Sequence, residues 1–234
     1  MRKYRSNVSS AVRLAYGIEL AAGLSQFPET TAAANEIRAI NDALGAQEDK
    51  RHALHVPVIE TRAALRFAKL SAERVIRTSL RAAEIADGGR RGRICACLFP
   101  KGLRPVVLPM GKRQVKPLKE LVERLHNAHV AGIDAYRAVW APKLDAALAT
   151  LEATVDAHGT ALAAHDEAFQ VELALRDAHH DVVDKVIGIV RAAFPRDRDL
   201  QDVLFPIVEV SRRRENASTD ESEPEPTRVA PVPR

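Results

Sequence analysis

The chain has 234 residues, 46% of them apolar but only 4% aromatic, with 28% charged residues and a formal net charge of +4. That is enough apolar matter for one large or two small domains, and an Ala- and Leu-rich, aromatic-poor composition excludes an aromatic-filled sheet sandwich in favour of an all-α fold. No apolar run approaches the roughly 20 residues that span a bilayer, and Cys95 and Cys97, the only cysteines, stand too close for an ordinary structural disulfide. A cytoplasmic setting with reduced thiols is expected.

The N-terminus, "MRKYRSNVSSAVRLAYGIEL", is basic and free of acids until Glu19, as a transit peptide would be, but Arg13 interrupts any signal-type apolar core. It is read as the first helix, about residues 7–27, with Val12, Tyr16, Leu20, Leu24 and Phe27 at helical spacing. A second helix starts at Pro28 and carries Ile37, Ile40 and Leu44 to about His55, where Pro57 disfavours helical geometry at Val56 and predicts a turn. The third, residues 58–86, places Leu65, Ala68, Ala72, Val75, Ser79, Ala83 and Ala86 on one stripe and ends at "DGGRRG".

The stretch "GGRRGRICACLFPKGLRPVVLPMGKRQVK", residues 88–116, breaks this pattern. It holds Arg90, Arg91, Arg93, Lys101, Arg104, Lys112, Arg113 and Lys116 and no acidic residue, so the remainder of the chain is net negative. Like charges at this density repel one another and give no stability to a mere loop, which makes the segment a candidate anion-binding connector.

Helical spacing then returns. Leu118, Leu121, Leu125, Gly132, Tyr136 and Trp140 predict a helix that meets Pro142; Leu144, Leu148, Leu151 and Val155 follow; "HGT" at 158–160 predicts a turn. Phe169, Leu173, Arg176, His180, Val183, Ile187, Val190 and Phe194 step by threes and fours like a helix-packing, coiled-coil-like seam. On that seam Arg176 and His180 each need a polar partner, because an unpaired buried charge is costly.

The two halves resemble one another. Gly17-Ile18-Glu19 matches Gly132-Ile133-Asp134, Pro28 matches Pro142, and "CLFPKGLRPVVLP" (97–109) resembles "AAFPRDRDLQDVLFP" (192–206). The reading is an internal repeat: an elongated helical bundle of two tandem three-helix units with long antiparallel helices, 1–109 and 110–212. A tail, 213–234, is acidic and proline-rich, the composition of a disordered segment.

Catalytic motifs are wanting. "GGRRG" follows a helix where a dinucleotide loop follows a strand, and "GKRQ" lacks the spacing and the Ser or Thr of a phosphate loop. The Cys95/Cys97 pair has no second pair to complete a zinc site, so small buried hydrophobes fit better. His126, His129 and His165, with Glu123 or Asp166 as a fourth ligand, could share a metal only if Pro142 were a true turn that brought the following helices alongside.

These readings rank a non-catalytic helical scaffold or adaptor first, acting on a protein partner or by self-association. Nucleic-acid or anionic-surface binding through 88–116 is the alternative, and a metal-binding bundle the second. No enzyme activity and no cofactor are expected. The connector has one aromatic, Phe99, which favours contacts with a phosphate backbone over base stacking.

Overall fold

The computed structural model describes residues 3–206, and the proposed tail lies outside them. Among the described residues all regular structure is helical: α1 (Ser10–Leu24), a single 3-10 turn (Pro28–Thr30), α2 (Thr31–Ala86), α3 (Arg93–Leu98), α4 (Arg104–Val107), α5 (Lys112–Asn127), α6 (Ile133–Ala193) and α7 (Arg198–Val203). In order and approximate length α1, α2 and α4 correspond to α5, α6 and α7, with a Phe-Pro turn before each short helix, while α3 has no counterpart in the second half. Phe99-Pro100 precedes α4 and Phe194-Pro195 precedes α7, and in both turns the Phe carbonyl accepts an N–H three residues on.

Both long helices correct the sequence reading. Pro57 lies inside α2 and Pro142 inside α6, so the separate helices expected on either side of each proline are continuous, and no turn forms at Gly159. A helix-interior proline removes a donor and crowds the carbonyl four residues earlier. Here that carbonyl belongs to Ala53 or Ala138, and both prolines and both alanines lie on exposed positions where water can take the orphaned oxygen.

The converse error falls at 128–132. The apolar spacing from Leu118 to Trp140 reads as one helix, yet α5 stops at Asn127 and Gly132 adopts φ +83°. Arg137 holds this break: its Nε donates to the Leu125 carbonyl at 3.0 Å and its guanidinium also reaches the Ala128 carbonyl. Carbonyls that a continuing helix would have bonded are thereby satisfied.

Packing divides the chain into two compact units, one reaching Asp42 and resuming at Asp177, the other Ala43–Arg176. The sequence boundary at 109/110 lies within the second. In that unit Gln47, Thr61 and Ser79 of α2 meet Ala168, His158 and Tyr136 of α6, in reverse order along the two helices. Its core gathers Ala72, Ile76 and Ala83 from α2, Ile94 and Leu98 from α3, Leu118, Leu121 and Leu125 from α5, and Leu144 and Leu151 from α6. Each is nearly or wholly removed from water.

The first unit is built otherwise. Tyr16, Leu20 and Leu24 of α1, Ile37 of α2, Val183, Val186 and Val190 of α6, and Leu204 and Phe205 form its apolar core. Beside it a polar chain is buried. The Arg13 guanidinium lies 5.0 Å from the Tyr4 ring centre and donates to the Ser6 carbonyl at 2.5 Å. Tyr4 Oη bonds His179 Nδ1, His179 Nε2 bonds Asn41 Oδ1 at 2.9 Å, and Asn41 Nδ2 donates to the Leu14 carbonyl at 3.3 Å. Those directions describe a neutral imidazole protonated on Nε2. Burial, and then the Arg13 charge, push the His179 pKa down to about 4. A Cβ on Gly17 would stand 2.2 Å from Asn41 Oδ1, so the glycine makes room for the amide.

The expected seam of α6 holds at Val183 and Val190 and is displaced by one residue elsewhere, with Ala168, Glu172, His179 and Val186 buried rather than Phe169, Leu173, His180 and Ile187. His179 is the buried histidine; His180 is half-buried, 3.9 Å from Asp184, and its Nδ1 has no hydrogen-bond partner. Glu172 is fully buried in place of Leu173, paired with Arg51 and with Arg176 at 2.6 Å. Arg176 thus has the carboxylate the sequence required. A rule that assigns polar residues to the surface misreads the register wherever they are buried in pairs.

Candidate anion-binding surface

The connector begins where α2 runs out. Gly88 and Gly89 both take φ +85°, and Gly89 N–H returns to the Glu84 carbonyl at 2.9 Å, a helix stop that an L side chain would strain. Asp87 then fixes the turn. Its carboxylate accepts the N–H groups of Gly92, Ile94 and Cys95 at 2.9–3.1 Å, and a Cβ on Gly92 would strike it. Burial pushes the Asp87 pKa up, but the backbone donors of Cys95, Ile94 and Gly92 outweigh it and hold the carboxyl below its usual value. The only acid at the edge of the basic stretch therefore carries backbone amides.

α3 and α4 both pack on α5. Ile94, Cys95, Leu98, Phe99, Val106 and Val107 point inward, and Arg124 Nε of α5 donates to the Leu98 carbonyl at 3.1 Å. Cys95 is buried, and burial followed by the Asp87 carboxylate raises its thiol pKa to about 11, so it stays protonated. It serves as the small hydrophobe its spacing suggested.

The cations do not share this burial. Arg90, Arg91, Arg93, Lys101, Arg104, Lys112, Arg113 and Lys116 are all exposed. Among the described residues only Arg91 of the eight stands in an ion pair, a loose one with Glu84 at 3.7 Å. The carboxylates of the bundle do not consume this charge. Lys112, Arg113 and Lys116 also sit in the first turns of the 16-residue α5, whose first turn has no acid. Cations at the positive end of a helix dipole oppose helix stability and strengthen the local attraction for an anion.

Two large apolar side chains in the same stretch, Leu108 and Met110, are 65% and 71% exposed. Sequence reasoning missed them because α4 has four residues, too few to show which of Val106, Val107 and Leu108 faces inward. Phe99, the one connector aromatic, is buried.

The histidine candidates are not brought together. His126 Nε2 lies 3.1 Å from Asp145 Oδ1, His165 lies beside His55 and 3.6 Å from Asp166, and His129 is exposed beyond the end of α5. Since α6 runs straight through Pro142, His165 is twenty positions from Asp145, or about 30 Å along the helix. Among the described residues no three His, Cys, Asp or Glu side chains are placed to hold a metal. No helix among them is long and apolar enough to cross a membrane.

Comparison with protein-family models, with curated proteins and with solved structures finds no match for the chain.

Proposed function

We propose that the chain is a non-catalytic, cytoplasmic helical scaffold that docks on a phosphate-bearing polyanion through the cations of residues 88–116. In this reading an ancestral run of one helix, one long helix and one short helix was duplicated, and the long helices pair antiparallel to hold the connector in place. The observation that carries the docking function is the exposure of all eight cations with a single loose ion pair among them. Side chains already neutralised by bundle carboxylates would have little to offer a phosphate; these have retained their charge.

The reaction is one of counterion release, so affinity should be indifferent to base sequence. The test is a gel-shift titration of two unrelated short duplexes with the wild type and with Arg90→Glu/Arg91→Glu/Arg93→Glu. We expect both duplexes to bind alike at low salt and the triple variant to lose at least about tenfold in affinity for each. Equal affinities of wild type and variant would overturn the reading.

A further inference from the structure

The connector is more than a charged surface. We propose that its partner is an anionic bilayer, with Leu108 and Met110 entering the headgroup layer while Arg104, Lys112 and Arg113 pair with the lipid phosphates and carboxylates. This rests on the reading of the connector as an anion-docking surface and adds the class of partner.

A nucleic-acid backbone has no use for exposed aliphatic side chains. Phosphate contacts need cations and amides, and binding to unpaired bases needs aromatic faces. Phe99 is 6% exposed, so the connector shows no aromatic side chain to a base. Instead it shows two large aliphatic side chains, two residues apart, at the turn from α4 to α5.

Their exposure is not the play of a loose loop. Leu108 N–H bonds the Arg104 carbonyl at 3.0 Å, and the Met110 carbonyl accepts Arg113 N–H at 3.2 Å. Val106 and Val107, immediately before, are buried. The backbone thus splits one apolar run, turning two side chains into the core and leaving two in water with cations on either side.

Apolar tips flanked by Lys and Arg match the chemistry of the bilayer interface. There, shallow apolar burial and attraction to acidic headgroups add, and neither alone gives stable attachment. Each cation at an acidic membrane surface contributes about fivefold in affinity. Docking of this kind needs no membrane-crossing helix.

The experiment is co-sedimentation of the full chain with vesicles of phosphatidylcholine, with and without about a third phosphatidylserine. The same protein preparations are titrated with duplex DNA. Of the two vesicle types, only those with phosphatidylserine should bind, and the duplex should bind at low salt. Leu108→Ser/Met110→Ser should bind these vesicles at least about tenfold more weakly while its duplex affinity stays within about twofold. Met110→Leu, which keeps the apolar tip, should bind vesicles like the wild type. Both serine positions are exposed, so circular dichroism should show unchanged helix content.

Serine variants that bind vesicles as tightly as the wild type would overturn the inference. So would a wild type that binds duplex but not acidic vesicles; that result leaves the docking function standing with nucleic acid as the partner. A wild type that binds neither removes both.

Discussion

In the unit around α1, a tyrosine, a histidine and an asparagine are buried beside the apolar core, joined donor to acceptor, with an arginine over the tyrosine ring. The unit around α5 sets Leu118, Leu121 and Leu125 among Ala72, Ile76 and Leu144, and the polar groups of its connector face water or hold the backbone. A buried polar chain is directional and loses heavily when one member is removed, whereas an apolar cluster responds to volume alone. The first unit should therefore respond to protonation of His179, whereas in the second the Asp87 carboxyl, held below its usual value, gives up its contribution only in the acid range of carboxylates. That contrast matters for the connector, because the apolar cluster that supports the cations contains no histidine to take up a proton near neutral pH.

The largest effect is expected in the apolar unit. Leu121→Ala removes a fully buried side chain and should cost about 3–5 kcal/mol in chemical denaturation. The loss should be the same at pH 7 and pH 5; a strong pH dependence would blur the distinction between the units.

Next comes acid. His179 has a folded pKa of about 4 against an ordinary 6.5, so above pH 6.5 neither state binds the proton and the full stability is present. As pH falls from 6.5 towards 4 the unfolded chain takes up a proton that the folded chain refuses. Stability should drop by roughly 3 kcal/mol across that window. His179→Gln, measured across the same range, should flatten the dependence.

The smallest is Tyr4→Phe, which removes the hydroxyl that bonds His179 Nδ1 and should cost about 1–3 kcal/mol in thermal melts. No change at all would mean that the polar chain does not hold the first unit together.

The sequence pattern revealed the apolar faces of α1 and α5 and the end of α2 at Ala86, because large apolar residues at helical spacing and a Gly-Gly stop act locally. It misplaced the breaks at Pro57 and Pro142, since a proline's cost depends on whether the carbonyl four residues earlier faces water, and that is a property of the tertiary fold. It put His180 on the seam in place of His179, because a buried histidine is tolerable only with partners such as Tyr4 and Asn41, which lie far away in sequence. The cations were readable for an electrostatic reason: eight like charges without an acid among them have few neighbours to pair with, wherever the chain folds. Leu108 and Met110 were not, since two residues beside a four-residue helix have no period.

The proposed docking function is tested most directly by the salt dependence of polyanion affinity. With about half of the eight cations on phosphates of a duplex, the logarithm of the binding constant should fall against the logarithm of salt concentration with a slope of about −3 to −4. Reversing the charge of Arg90, Arg91 and Arg93 should make that slope shallower. A wild-type slope near zero, or one that the triple reversal leaves unaltered, would contradict the account.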